Sequence, residues 1–250
     1  MAITTTTTTI TTTTTTNTTM TNTTINDIYI TSYDDLKTAI QELGFLPFFA
    51  NSIPGFSIEE HVDNNLWYSS ADGDWQVWNW KGPVINDLNC AYGKFFGKKA
   101  VYISKSWFPD FANYRRDGYD FDARYEDGLA NHRDKVLYEL IDENGPVLSK
   151  RLKAIGNYKK GGNKGFDTII TRLQTQGYVL ISDFVYMVDK KGNEYGWGVA
   201  EYSTPEQFLG AEFTDRVYER EPEESYERIL EHLKRILPGA DEKAIRKLLK

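Results

Sequence analysis

Residues 166–203 read FDTIITRLQTQGYVLISDFVYMVDKKGNEYGWGVAEYS, and this stretch decides how the second half of the chain is built. Phe166, Ile169, Ile170 and Leu173 recur at the spacing of one helix face, and Gly177 stops the helix. The apolar run YVLISDFVYMV, the polar turn DKKGNE and the run YGWGVAEYS predict a strand, a turn and a returning strand. Upstream, Val136, Leu137, Leu140 and Ile141 mark a helix over 132–143. Asn144-Gly145-Pro146 should end it, since Gly suits a left-handed cap and Pro forbids continuation. Ser149 is expected to cap a short helix carrying Leu152 and Ile155. Helix, helix, helix, strand, turn, strand is the order of a winged helix-turn-helix.

In such a module the third helix is commonly the one offered to a DNA major groove. With its apolar residues turned inward, its outer face carries Thr168, Thr171, Arg172 and Thr175, whose hydroxyls and guanidinium suit phosphates and base edges. Lys159, Lys160 and Lys164 precede it, and Lys190 and Lys191 occupy the turn of the wing. The alternative is a platform for a protein partner, with these lysines as ordinary solvated residues.

Charge distribution favours DNA. The whole chain carries −7, which argues against a polyanionic partner. Residues 149–191 hold nine Lys or Arg against three Asp, a local balance of +6 that leaves −13 on the remainder. The molecule is polarised, with one basic module on an acidic body, and duplex DNA is the expected partner.

Around this module the chain divides into a Thr-rich tract (1–29), an aromatic-rich mixed α/β region (30–130), the winged helix (131–210) and a helical extension (211–250); the expected fold class is α+β. Positions 4–24 contain 17 threonines, have almost nothing to bury, and read as disordered. Order is expected from about Thr31. Ser32 and Asp35 have capping-box spacing before a helix bearing Leu36, Ala39, Ile40 and Leu43, which stops at Gly44. FLPFFANSIPGF reads as buried irregular chain, and Ser57 with Glu60 suggests a second cap. WQVWNWKGPVI, with Trp75, Trp78 and Trp80, reads as a strand. A turn at Gly97 precedes another strand over 100–104.

WFPDFANYRRDGYDFDARYEDG, residues 107–128, fits neither periodicity, with seven aromatic and nine charged residues. It offers Tyr114, Tyr119, Phe121 and Tyr125 to stack on bases, Arg115 and Arg116 to hold phosphates, and Asp117, Asp120 or Asp122 as a catalytic carboxylate. The same interleaving describes an Arg–carboxylate belt between domains, and that reading comes first.

GFLPFFANSIPGFSIEE, WNWKGPVI and CAYGKFFGKKAVYISKSWFPDFANYRRDGYDFDARYEDG, followed by the winged helix, resemble the AlkZ-related proteins over residues 30–210. These are relatives of the AlkZ-type winged-helix DNA glycosylases, which remove alkylated bases and unhook interstrand crosslinks. The resemblance implies duplex-DNA binding and excision or recognition of alkylated bases in repair; the alternative is a non-catalytic regulator or scaffold. The glycosylases use a Gln-apolar-Gln or Gln-apolar-Asp motif that is not identified here. Gln174-Thr175-Gln176 has a polar centre, and residues two apart diverge by about 200° on a helix.

Elsewhere the sequence excludes more than it offers. No phosphate-cradling glycine motif is present, and one cysteine and three scattered histidines suggest neither metal nor cofactor. No apolar run is long enough to span a membrane, no secretory leader is recognisable, and the lone Cys90 suits a reducing cytoplasm. Residues 212–250 carry ten acidic and nine basic residues. Their stripe of Tyr226, Ile229, Leu230, Leu233 and Ile236 is expected to dock on the body or on a second copy, making a homo-oligomer.

Overall fold

The computed structural model describes residues 22–67 and 76–250, apart from the side chains of Gln76, Glu194 and Tyr195. The tract at 1–21 and Trp75 lie outside the described residues. Order begins before Thr31: Thr24 opens a 3-10 turn (Ile25–Asp27), Ile25 is buried, and Thr23 donates to Glu42 at 2.8 Å.

Two of the three expected serine caps form. Ser32 accepts from the Asp35 amide at the head of α1 (Tyr33–Leu43), which ends at Gly44 with φ 73°. After β1 (Phe45–Pro47) come irregular buried chain and α2 (Ile58–His61), where Ser57 accepts from the Glu60 amide. Next is α3 (Asn64–Trp67). The tryptophan stretch is helical rather than a strand, forming α4 (Gln76–Asn79) and α5 (Lys81–Leu88). Trp78 packs on Phe48 at 5.2 Å and Trp67 at 5.6 Å, whereas Trp80 meets Tyr33 at 5.8 Å. Such packing overrides an aromatic ring's strand preference, and Pro83 falls in the first turn of α5, where its missing N–H is tolerated.

β2 (Ala91–Phe96) and β3 (Lys99–Ile103) form a hairpin. Gly97 and Lys98 at its turn have φ of 53° and 66°, the double positive φ that a two-residue hairpin turn requires. The mixed aromatic stretch is also helical, as α6 (Phe108–Arg116) and α7 (Phe121–Glu126). Seven residues of α6, including Asp110, Asn113 and Arg116, are buried, so partners on several sides erase the amphipathic stripe.

The second half follows the expected order: α8 (His132–Asn144), a two-residue strand β4 (Val147–Leu148), α9 (Ser149–Ile155), α10 (Phe166–Thr175), β5 (Leu180–Val188) and β6 (Glu194–Ser203). Gly145 does end α8, but at φ −72° rather than left-handed; a Cβ there would lie 2.7 Å from the Ile141 carbonyl oxygen. Ser149 makes no capping bond, because Leu148 holds the cap position. Then come α11 (Pro205–Leu209), α12 (Ala211–Thr214), α13 (Pro222–Ile236) and α14 (Glu242–Leu248).

The strands make one antiparallel sheet, β1-β3-β2-β5-β6-β4, joined between the halves by pairing of Tyr92 with Ile181. α13 lies on α6. Its Ile229, Leu230, Leu233 and Ile236 are buried, each contributing about 1.5–3 kcal/mol. Ser225 bridges Asn113 and Asp110 across this contact at 3.0 and 3.1 Å. Of its two possible destinations, the stripe takes the body. Among the described residues, no helix is long and apolar enough to cross a membrane.

Candidate nucleic-acid interface

α10 turns Phe166, Ile169, Ile170 and Leu173 into the core, as its periodicity requires. Its outer face is divided. Thr168 is exposed, whereas Thr171, Arg172 and Thr175 are half-buried. Thr175 donates to the Lys94 carbonyl at 3.1 Å, and Thr171 accepts from the Lys94 ammonium at 3.4 Å, so the end of the helix leans on β2. Gln174 is buried; its amide oxygen accepts from the Lys94 N–H at 3.1 Å and its nitrogen donates to the Ile170 carbonyl. That seat leaves Gln174 and Gln176 no common target, with Gln176 lining a pocket beside the helix.

Arg172 is fixed from behind. The Asp134 carboxylate on α8, itself buried, accepts from Arg172 Nε at 2.8 Å and from Nη2. These bonds raise the guanidinium pKa above its ordinary value, against a smaller opposing effect of burial. Asn131 caps α8 and also donates to Asp134 at 3.0 Å, so the fork is held by a third group.

Two depressions flank the Thr168–Arg172 ridge. On the β2 side is a cavity of about 620 Å³, lined by Lys98, Arg115, Arg124, Asp167, Gln176 and Lys250 together with the outer face of α10. On the α8 side is one of about 670 Å³, lined by Asn131, His132, Arg133 and Gly165 with the same ridge. Cations therefore stand on both sides of one helix.

They are mostly not the expected ones. Lys159, Lys160 and Lys164 are exposed in the loop before α10, and Lys190 and Lys191 are exposed at the β5–β6 turn. None of these five has an ion-pair partner among the described residues. The turn is ordered by Asp189, which accepts from the Lys191 and Asn193 amides at 2.7 and 3.0 Å; those bonds lower its carboxyl pKa. The tip stands about 26 Å along β5 from the strand's start at Leu180, taking about 3.3 Å per residue.

The aromatic segment separates into roles. Arg115 enters the β2-side cavity, whereas Arg116 is buried, bound to Glu206 at 2.7 Å and to the Gly177 carbonyl at 2.9 Å. Burial alone would lower the Arg116 pKa, but Glu206 and Tyr218 outweigh it and hold the pKa above an ordinary arginine's. Phe121 is buried against Tyr138 at 4.2 Å. Tyr114 is half-buried and donates to the Leu249 carbonyl at 2.5 Å, while Tyr119 and Tyr125 are half-buried on and beside α7. Asp120 caps α7 by accepting from the Ala123 amide, and Asp122 is an exposed partner of Lys135 at 3.6 Å. Asp117 lines a separate cavity of about 500 Å³ with Tyr114, Pro222, Glu223 and Tyr226. The carboxylate beside the cationic cavity is Asp167, which sequence reasoning passed over, as it did Lys98, Arg124 and Arg133. Lys98 had one local signal, its place in a hairpin turn after Gly97.

Fold and site define an α+β protein in which a helix packed on a six-stranded antiparallel sheet is flanked by cation-lined cavities. The family model described as AlkZ related matches residues 30–250, and the chain belongs to that family. The match runs through the C-terminal helices, beyond the 30–210 carried by the resemblance. A 69-residue stretch is 39% identical to the large ribosomal subunit protein uL16 of Bombyx mandarina, covering 27% of this chain and 29% of that protein. So short a share of either chain carries no functional argument. No solved structure matches this chain.

Proposed function

We propose that this protein binds duplex DNA through the Thr168–Arg172 ridge of α10 and recognises or excises alkylated bases. One observation supports it above others: cations line cavities on both sides of that ridge, as the two phosphate walls of a groove require. In this reading residues 131–210 are a winged helix, with Thr168, Thr171, Arg172 and Thr175 toward the bases. Lys159, Lys160, Lys164, Lys190 and Lys191 lie toward the phosphates, and an aromatic-rich region (30–130) and a helical extension (211–250) carry the module. Membership of the AlkZ-related family supports the repair context. A cytoplasmic setting agrees with Cys90, the single cysteine, buried and with its thiol pushed up to about 12 by burial.

Excision needs a group that stabilises positive charge on deoxyribose and orients water. Asp167 is the side-chain carboxylate that lines the β2-side cavity beside the ridge. Asp117, Asp120 and Asp122 are the competing candidates, each outside that cavity. Purified protein is incubated with duplex carrying N7-alkylguanine and scored for released base. Release that disappears in Asp167→Asn but persists in Asp117→Asn, Asp120→Asn and Asp122→Asn supports the assignment. Binding without release, selective for a promoter sequence, favours the regulator. Loss of neither affinity nor salt slope on neutralising the five lysines together with Arg133 removes the DNA reading.

A further inference from the structure

The β2-side cavity has features that groove binding does not require. Three of its cations, Lys98, Arg115 and Arg124, have no side-chain carboxylate partner among the described residues. Arg115 lies over Phe111 and Tyr114 at 5.4 and 5.3 Å and donates to the Phe95 carbonyl at 3.3 Å and to the main-chain carboxylate of Lys250 at 2.8 Å. Its Nε is buried without a partner, as is that of Arg124, whose Nη1 donates to the Arg116 carbonyl at 3.1 Å. A half-buried guanidinium without a side-chain carboxylate is costly to hold, and an anion in the cavity supplies the missing counter-charge. Arg172 is neutralised by Asp134, and the carboxylate lining the cavity, Asp167, is largely exposed and turned to Lys153 at 3.4 Å.

The charge and size of the cavity identify the anion. A backbone phosphodiester carries one negative charge, whereas a phosphomonoester carries about 1.5 to 2 near neutral pH, the better match to Lys98 and Arg124 with Arg115 beside them. A volume of about 620 Å³ accepts a nucleoside along with its phosphate. We propose that this cavity is a phosphomonoester site. It holds the terminal phosphate of a nucleotide between Lys98, Arg115 and Arg124, with the exposed Thr168 hydroxyl as a further donor. The phosphate is carried either by a free nucleoside 5′-monophosphate or by the 5′-phosphorylated end of a DNA strand. The site shares the β2-side cavity and Thr168 with the duplex-binding reading but uses neither the wing lysines nor the α8-side cavity, so it stands whether or not duplex binds.

The full chain is titrated calorimetrically with deoxyguanosine 5′-monophosphate, deoxyguanosine and inorganic phosphate. Duplexes with 5′-phosphate or 5′-hydroxyl ends are compared by fluorescence anisotropy. The expected result is binding of the monophosphate but not the nucleoside, weakened about ten-fold by Arg124→Gln and by Lys98→Asn. Lys98→Asn guards against a folding artefact, since Lys98 is exposed and Asn tolerates its φ of 66°. Tighter binding of the 5′-phosphorylated duplex assigns the strand end as the source; equal duplex affinities beside monophosphate binding assign the free nucleotide. Equal binding of nucleoside and monophosphate, no binding of any phosphate-bearing probe, or full affinity in both variants overturns the proposal.

Discussion

Arg115 and Arg116 are consecutive on α6, yet one guanidinium opens into a cavity and the other closes the core against Glu206 and the Gly177 carbonyl. Successive side chains on a helix diverge by about 100°, so a single Arg-Arg pair supplies both a surface cation and an internal brace. Arg116 also stacks on Tyr178 at 4.6 Å, which joins α6 to the chain entering β5. Substituting either arginine therefore tests a different property.

Arg116→Met removes the brace and leaves the Gly177 carbonyl unbonded. Because Glu206 is one-third exposed, the loss should fall somewhat below that of a fully buried pair, at about 2–4 kcal/mol. Urea denaturation should show a lower midpoint for this variant. Arg115→Gln should leave the midpoint close to the parent's and instead weaken nucleic-acid binding, read by anisotropy.

Asp134→Asn separates orientation from charge on α10. The variant makes the surface more positive by one, which by electrostatics alone should tighten DNA binding. Because Asp134 aligns the Arg172 fork, affinity is expected to fall instead, with a stability loss of about 1.5–3 kcal/mol for the charged hydrogen bonds. Tighter binding would show that Arg172 needs no alignment.

His232 makes stability depend on pH. Its Nε2 donates to the Leu43 carbonyl at 2.8 Å, Nδ1 accepts from Arg235 at 2.9 Å, and the ring stacks on Trp107 at 4.0 Å. Burial, helped by Arg235 and Arg228, pushes its pKa down to about 4, against the Leu43 bond, from an ordinary 6.5. Between those values the unfolded chain binds the proton and the folded one does not, so stability falls as pH drops from 6.5 to 4. The loss should reach about 3 kcal/mol at most. Denaturation across this window should be less pH-dependent in His232→Gln than in the parent.

Lys81 is expected to be a cost rather than a support at neutral pH. Its ammonium sits over Phe184 at 4.3 Å, Trp78 at 4.7 Å and Phe48 at 5.6 Å, and burial pushes its pKa down to about 8. The unfolded chain holds this proton more tightly, so the penalty is full below pH 8 and fades towards 10.5. Lys81→Met should raise the denaturation midpoint at pH 7, with a gain that shrinks at pH 10. An unchanged gain at both values would mean that packing, not charge, is responsible.

Local chemistry was legible wherever a short stretch settles its own conformation. Ser32 and Ser57 cap their helices, Gly44 ends α1, and α10 buries the four apolar residues that its periodicity selects. These features depend on hydrogen bonds and side-chain spacing within a few residues, so no distant partner is needed to predict them. The family too was readable, because the residues around the β2–β3 hairpin and α6 form a distinctive run.

Tertiary structure decided what depends on residues far apart in the chain. Trp78 lies in α4 and Trp80 at the cap of α5, rather than in a strand, because Phe48, Trp67 and Tyr33 receive them. Residues 107–128 hide two helices because their faces are buried by α13, Gly177 and Tyr138 as well as by one another. The cationic cavity brings together Lys98 of the β2–β3 turn, Arg115 of α6, Arg124 of α7 and Arg172 of α10. Sequence alone set which side chains carry charge. Folding set which of them remain unpaired, because a carboxylate neutralises a cation only where the chain brings the two into contact.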